Sequence, residues 1–375
     1  MKKNLIQTSL WALIALYMTY AFLQSAMAAL FLETLKIDLG VTTCCLTGPF
    51  IVGFALMQIP VGVLLDRYHV HWVSSGGLFL MAVGNMILAL LSSHKIPFLF
   101  SLAFFLQGVG ASAALLTVAR WISQKFSSKR FPIFFGLTFS VSSFLSALVY
   151  TYFSRVFHVL TWKDVYGHLS QLGWILFILT LLFLRERLPN KGKASFSLEK
   201  NFSFFRSKQV WLSALCAAAS LGALTACMNL WYLAHHGFLN SMILLGFVIG
   251  APVLGWISNE MKSRKLALHL SLSLGVILLL TIFYSPLFRF DFVARIVPVL
   301  IGFFLSGSIL FYTCISELSN AQHRTTAIGF THMLVFLTSL AIFLSGELFF
   351  MAYLCLLIAV LLSYFVKETF QLSSK

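Results

Sequence analysis

The chain has 375 residues, of which 59% are hydrophobic and 10% are charged, and its mean hydropathy is +0.92. A water-soluble domain carries about 25% charged residues, so this composition excludes one and indicates lipid as the main solvent. The net charge of +15 does not indicate a nucleic-acid binder, because the Lys and Arg residues cluster between apolar runs and form no basic stripe on a polar domain.

In chain order, twelve apolar runs are separated by shorter polar stretches. Most runs are close to the roughly 20 residues that a helix needs to cross a hydrocarbon core. Backbone groups in lipid must be satisfied within each segment, which favours helices over strands. The runs cover residues 10–32, 44–65, 73–91, 96–122, 131–153, 165–184, 210–233, 242–257, 266–283, 293–315, 325–343 and 348–366. The sequence therefore predicts an all-α membrane protein with twelve transmembrane helices.

The basic residues predict the orientation of these helices. Twelve crossings place both termini on one side, and if that side is the cytoplasm, 20 of the 26 Lys and Arg residues fall there. By the positive-inside rule we predict a multi-pass protein of the inner (cytoplasmic) cell membrane with both termini in the cytoplasm.

The first run allows a second interpretation. Lys2 and Lys3, the apolar stretch after them, and Ala26-Met27-Ala28 together are typical of a cleavable secretory signal. The apolar run continues past Ala28 to Leu32, however, and the internal repeat described below requires this segment. We therefore predict it to be the first crossing.

The six cysteines all lie in or beside apolar runs, and no two of them form a Cys-x-x-Cys pair. Small buried residues are favoured over a metal site or a disulfide framework. We predict neither a metal nor a cofactor. The cysteines are Cys44, Cys45, Cys216, Cys227, Cys314 and Cys355.

The chain divides into two similar halves. The longest polar stretch predicts a cytoplasmic linker at residues 185–208, between six-helix bundles at 1–184 and 209–375. Gly62 lies near the end of the second run and Asp66 comes four residues later, and Gly255 lies near the end of the eighth run and Asn259 comes four residues later. The two glycines are 193 residues apart (255 − 62 = 193). Duplicated halves are typical of secondary transporters, in which alternating access rocks one repeat against the other.

Residues 58–67, Gln-Ile-Pro-Val-Gly-Val-Leu-Leu-Asp-Arg, resemble the signature loop of the major facilitator superfamily, in its bacterial branch. That loop reads Gly, three residues, Asp, a basic residue, any residue, Gly, any residue and two basic residues. Weaker similarity lies at residues 107–110, 229–233 and 367–369. The departures are His69 at the family's Gly, His71 and Trp72 at the basic pair, Asn259 and Glu260 at the second loop's Asp and Arg, Phe104 where many members have Arg, and the absence of a Gly-Pro pair at residues 136–140.

The resemblance implies two pseudo-symmetric six-helix bundles and a conformational latch made by the signature loops. In the family the loop carboxylate meets the start of the eleventh helix, here near Thr325. Asp66 at a helix end also suits such a partner electrostatically, although an ordinary surface ion pair remains the alternative. Without a carboxylate at Asn259, we expect the second loop to form the weaker latch. The latch residues are Gly62, Asp66, Arg67, Gly255, Asn259, Arg264 and Lys265.

Polar residues recur at helical spacing on the first, fourth, seventh and tenth runs. The resemblance implies that these four helices line a central cavity, so we predict that the polar faces bind the solute. The alternative is that they make interhelical hydrogen bonds, which membrane bundles use routinely. The residues are Tyr17, Tyr20, Gln24, Gln107, Thr225, Asn229, Tyr232, Ser308 and Tyr312.

Carboxylates are missing from the middle of the predicted crossings, since Glu33, Asp291 and Glu317 lie near their ends. Intramembrane acids usually mark proton or ion relays. Their absence favours facilitated diffusion or coupling through another group. His332 in the eleventh run is the candidate titrating residue, although a hydrogen-bonded structural role is the alternative.

We predict a monomeric transporter, and not an enzyme, whose partners are a small-molecule solute and the lipid bilayer, with no nucleic acid. The solute is expected to be an amino acid, a peptide or an organic anion. A transporter-like sensor that binds without translocating is the alternative. A membrane-embedded enzyme is less favoured, because the sequence has no Gly-x-Ser-x-Gly, His-Glu-x-x-His or paired intramembrane carboxylates.

Overall fold

The computed structural model describes residues 2–39, 43–90, 96–156, 160–184, 203–233, 237–284 and 291–370. Within these ranges the regular secondary structure is helical. The α-helices are α1 (Lys2–Leu30), α2 (Leu32–Leu39), α3 (Thr43–Arg67), α4 (Val70–Leu90), α5 (Pro97–Lys125), α6 (Phe131–Val156), α7 (Trp162–Phe183), α8 (Lys208–Leu233), α9 (Gly237–Glu260), α10 (Arg264–Tyr284), α11 (Asp291–Leu305), α12 (Leu310–Leu318), α13 (Arg324–Leu344) and α14 (Leu348–Ser363). Two 3₁₀ turns, Ser203–Arg206 and Ser306–Ile309, complete the described part.

The membrane-spanning architecture predicted from hydropathy is confirmed, because eleven of the twelve apolar runs each coincide with one helix and the tenth coincides with two. In the described part of the chain, ten helical stretches are long and apolar enough to cross a membrane, and Phe350–Ser363 is a shorter apolar helix. α10 occupies the ninth run. The polar helix α2 is an addition that hydropathy did not predict.

The tenth crossing is interrupted, whereas the sequence predicted one continuous segment at residues 293–315. α11 ends at Leu305, a 3₁₀ turn follows, and α12 resumes at Leu310. The Ser-Gly-Ser sequence of this turn has low helix propensity, and the Ser306 hydroxyl donates a 2.6 Å hydrogen bond to the Phe303 carbonyl oxygen. A short 3₁₀ stretch inside a helix often marks a hinge.

The chain forms two compact units. The first comprises residues 1–121 and 141–196, and the second comprises residues 122–140 and 197–375. In the first unit α7 packs along α4 and against α1, while in the second unit α8 packs against α13 and α14, and α9 packs against α11. The two six-helix bundles with boundaries at 1–184 and 209–375 stay a prediction.

Both units contain a pair of helices in backbone contact at a glycine. In the first, a Cβ built on Gly53 of α3 would lie 2.6 Å from the Phe105 carbonyl oxygen of α5. In the second, a Cβ on Gly246 of α9 would collide with the Val299 carbonyl oxygen of α11. The glycines are 193 residues apart (246 − 53 = 193), which is the offset of the repeated loops. Small residues permit such close approach in membrane bundles.

Candidate functional site

A chain of buried polar side chains links four helices of the first unit. Asn85 Nδ2 in α4 donates a 2.7 Å hydrogen bond to the Tyr20 hydroxyl in α1, and that hydroxyl donates to the Leu169 carbonyl oxygen in α7 at 2.8 Å. Gln107 Nε2 in α5 donates to Asn85 Oδ1 at 3.0 Å. Gln24 Nε2 donates to the Tyr20 carbonyl oxygen at 3.3 Å. We call Tyr20, Gln24, Asn85 and Gln107 the polar chain.

The polar chain leaves two hydrogen-bond acceptors unused. Gln24 Oε1 and Gln107 Oε1 are buried and accept no hydrogen bond within the described part of the protein. A buried amide oxygen without a donor costs about 1–3 kcal/mol. These oxygens therefore have capacity for a donor group from water or from a solute.

Two of the residues predicted to bind the solute make hydrogen bonds to neighbouring helices. The Tyr17 hydroxyl donates to the Gly110 carbonyl oxygen at 3.0 Å, and the Tyr20 hydroxyl is occupied by Leu169 and Asn85. These are the interhelical bonds that the sequence allowed as the alternative. Asn85 was missed, because it lies on the third crossing, outside the four helices expected to line a cavity.

The candidates of the second unit lie on α8, α12, α13 and the 3₁₀ turn. Thr225 is half-buried, Ser308 and Tyr312 are buried, and the Ser308 hydroxyl has no hydrogen-bond partner in the described ranges. The Tyr312 ring lies 5.9 Å from that of His332, centroid to centroid, so the structure brings these two candidates together. Asn229 and Tyr232 lie in the last turns of α8, where the side chains fall outside the described residues.

In the first signature loop, Asp66 lies in the last turn of α3, next to a cation from α5. Arg120 Nη1 lies 3.4 Å from Asp66 Oδ1, and the two side chains are only 10% and 3% exposed. Gly62 is buried and Arg67 is exposed. Arg120 entered the sequence-based prediction only through the count of basic residues.

In the second signature loop, Arg264 is buried, and the polar contacts of the loop converge on its guanidinium group. Its Nη1 donates to Ser258 Oγ at 2.6 Å and to Asn259 Oδ1 at 2.7 Å. Its Nη2 lies 3.4 Å from Glu317 Oε1 of α12. In the first unit the signature loop supplies the acid, Asp66, and a neighbouring helix supplies the base, Arg120. In the second unit the loop supplies the base, Arg264, and a neighbouring helix supplies the acid, Glu317.

The second loop turns sharply after α9. Lys262 has a φ of 50°, the left-handed region that favours glycine, and it occupies the position where the family pattern has Gly. The Ser263 N–H donates to the Ser258 carbonyl oxygen at 3.3 Å, which closes the end of α9. A Cβ on Gly255 would lie 2.9 Å from the Pro132 carbonyl oxygen, within the second unit.

Residues 363–370, here called the terminal segment, fasten the start of α10. Glu368 accepts hydrogen bonds from the Arg264 N–H at 2.9 Å and from the Ser263 hydroxyl at 2.5 Å. Partial burial opposes ionisation of Glu368, but these bonds and those from the Phe370 and Lys265 N–H groups outweigh it and lower its pKa.

The terminal segment also reaches α12 and α8 and makes a further contact with α10. The Thr369 hydroxyl donates to Glu317 Oε2 at 2.6 Å, the Lys367 N–H donates to Gln209 Oε1 of α8 at 3.0 Å, and Lys265 Nζ donates to the Tyr364 carbonyl oxygen at 2.5 Å. Lys265, a predicted latch residue, therefore binds the terminal segment.

The described residues contain no group of three or more His, Cys, Asp or Glu side chains placed to hold a metal ion. Cys216, Cys227 and Cys314 are buried free thiols, and Cys355 is a half-buried one. The buried thiols pack as small apolar residues.

The comparisons with known proteins agree with this geometry. The family model of the Major Facilitator Superfamily matches residues 10–343. The fold is similar to the crystal structure of the major facilitator transporter FucP in the outward conformation, with a TM-score of 0.69 at 14% identity, covering 96% of this chain and 99% of that one. It is similar to a second structure, of the E. coli fucose:proton symporter FucP, with a TM-score of 0.69 at 15% identity, covering 96% and 98%. A search of curated protein sequences finds no match.

Helices of membrane-spanning length, arranged as in a solved structure over nearly the whole chain, define a polytopic membrane fold. The chain belongs to the major facilitator superfamily.

Proposed function

We propose that the protein is a secondary transporter that moves a small polar organic solute, such as an amino acid, a peptide or an organic anion, by rocker-switch alternating access. In this proposal, bundles 1–184 and 209–375 rock about a cytoplasmic linker at 185–208. The two signature loops act as latches.

The observation that carries the polar solute class is the pair of unused acceptors in the polar chain. Gln24 Oε1 and Gln107 Oε1 have no hydrogen-bond donor in the described part of the protein. A solute N–H or O–H group would satisfy them, whereas an apolar solute would leave their desolvation cost in place. In the second unit, the Ser308 hydroxyl of the broken tenth crossing is also buried without a hydrogen-bond partner in the described ranges.

The test combines ligand binding with transport. Purified protein is screened by thermal shift against amino acids, dipeptides, sugars and organic acids, because a ligand stabilises the folded state by mass action. A stabilising solute is then measured for uptake into proteoliposomes. We expect Gln107→Ala and Gln24→Ala each to weaken binding about tenfold, the equivalent of about 1.4 kcal/mol.

Gln171→Ala is the matched control, because Gln171 is an exposed amide on α7. It should retain the affinity of the unaltered protein. If both polar-chain variants bind the solute with full affinity, the polar chain is not part of the solute site. Binding without uptake would favour the sensor alternative over a transporter. If a sugar is the only ligand found, the proposed solute class is wrong. The protein would then resemble FucP, which is named as a fucose:proton symporter, in the kind of solute it binds.

A further inference from the structure

An exposed side of the first unit carries an apolar groove between α6 and α7. Its volume is about 350 Å³, and its lining is nearly all carbon apart from His168. Leu148, Tyr152 and Leu172 are 51%, 60% and 39% exposed. The groove residues are Leu148, Val149, Tyr152, Phe153, His168, Leu169 and Leu172. Since both helices are of membrane-spanning length, the groove opens towards lipid.

The size of the groove fits an acyl chain. A water-sized group occupies about 30 Å³ in a condensed phase, so the groove holds on the order of ten methylene groups. It starts near the C-terminal end of α6 and the N-terminal end of α7. At 1.5 Å per residue, Leu148 lies about 12 Å from the α6 terminus at Val156, a depth that acyl chains occupy in one leaflet.

A cation continues the α6 wall of the groove. Arg155 lies in the last turn of α6 and follows Leu148 and Tyr152 at i+7 and i+3, on one face of the helix. Its side chain is exposed and makes no hydrogen bond or ion pair within the described ranges. A guanidinium at this depth is suited to a lipid phosphate.

A carboxylate continues the α7 wall. Asp164 precedes His168 by one turn, and its Oδ2 accepts the N–H and the hydroxyl of Thr161 at 2.9 and 2.6 Å, which caps α7. Asp164 Oδ1 accepts no hydrogen bond from the described residues. Lys163, in the first turn of α7, and His168 are both close enough to attract the charge of Asp164, and Lys163 Nζ lies 5.5 Å from the Trp162 ring centroid.

We propose that the groove binds one phospholipid whose headgroup carries both a phosphate and a primary ammonium. One acyl chain fills the groove, Arg155 binds the phosphate, and Asp164 accepts a hydrogen bond from the ammonium. A purely anionic headgroup brings no positive charge to Asp164, and a quaternary ammonium has no N–H to give it. The bound lipid contacts Leu169, whose carbonyl oxygen also accepts the Tyr20 hydroxyl.

The test uses native mass spectrometry of the full-length, delipidated protein with added dioleoylphosphatidylethanolamine. We expect one bound lipid, held at least fivefold more tightly than dioleoylphosphatidylcholine or dioleoylphosphatidylglycerol. Arg155→Gln should weaken binding about tenfold, the equivalent of about 1.4 kcal/mol. Asp164→Asn, which keeps an oxygen for the Thr161 cap, should abolish the preference for the ethanolamine lipid over the choline lipid.

Leu172→Trp fills the groove and should weaken binding at least tenfold. Its control is Leu182→Trp, at a 54% exposed leucine of α7 beyond the groove, which should bind as the unaltered protein does. Equal binding by the two tryptophan variants would overturn the groove as the site. Tighter binding of the glycerol lipid, or a dimer that forms in place of lipid binding and is abolished by Leu172→Trp, would overturn the assigned occupant.

Discussion

Asp66 and Arg120 form an ion pair almost shielded from solvent, and its energetics differ from those of a surface pair. Removing one member of a buried pair leaves an uncompensated charge, which costs about 3–5 kcal/mol, whereas removing both is often nearly neutral. The pair joins residues 54 positions apart in the sequence. Helical periodicity predicts which face a residue occupies but not its partner, so the sequence did not identify Arg120.

We therefore expect Asp66→Asn to destabilise the folded protein by about 3 kcal/mol, because the buried Arg120 guanidinium loses the negative charge of Asp66. The double variant Asp66→Asn, Arg120→Gln should recover part of that loss. Thermal unfolding in detergent measures both. Arg130→Gln, at an exposed residue, is the control and should change little. Strictly additive losses in the double variant would show that the two residues are not coupled.

The polar chain illustrates the same limit of sequence reasoning. Spacing correctly placed Tyr17, Tyr20 and Gln24 on one face of α1. It could not show that the two hydroxyls are taken by carbonyl oxygens of α5 and α7. Their partners lie 93 and 149 residues away in the sequence, and choosing them depends on which helices pack together.

At the scale of helices, the twelve apolar runs were predictable because hydrocarbon tolerates no unsatisfied backbone. The break at Ser306–Ile309 was not predictable from hydropathy, which sees one continuous apolar segment. It became visible only in the backbone, where a 3₁₀ turn separates α11 from α12.

The backbone contact of α9 with α11 predicts a sharp sensitivity at Gly246. Gly246→Ala places a methyl group against the Val299 carbonyl oxygen and should lower the thermal midpoint markedly, as should Gly53→Ala against Phe105. Gly76→Ala in α4 is the control, because a Cβ there meets nothing within 4 Å. That change should be neutral or stabilise by up to about 1 kcal/mol through helix propensity. Equal effects at all three glycines would refute backbone contact as the cause.

At the scale of the whole chain, the terminal segment holds the second unit together at one end. It contacts α8 through Gln209, α10 through Arg264, and α12 through Glu317. The sequence marked residues 367–369 only by resemblance. Their role follows from Glu368 accepting the N–H groups at the start of α10, where the helix dipole favours a negative charge.

This arrangement makes stability depend on pH. Because the pKa of Glu368 is lowered in the folded protein, its contribution is present above the unfolded-state pKa, about 4.3, and is lost as pH falls through the folded value. Glu368→Gln should therefore lower the thermal midpoint at pH 7, by the equivalent of about 1 kcal/mol after solvent screening. The difference from the unaltered protein should narrow below about pH 4.

Glu347→Gln supplies the control, because Glu347 is an exposed acid between α13 and α14. Its thermal midpoint should follow that of the unaltered protein at both pH values. A difference between Glu368→Gln and the unaltered protein that stays constant from pH 7 to pH 3 would contradict a charge-dependent cap.

The position of the terminal segment also has a consequence for biosynthesis. Gln209 at the start of α8 receives its partner Lys367 only after another 158 residues have been made. During translation, the starts of α8 and α10 are therefore made long before the residues that contact them. These contacts can form only once residues 363–370 have been made, and a bulky insertion within that segment would break them.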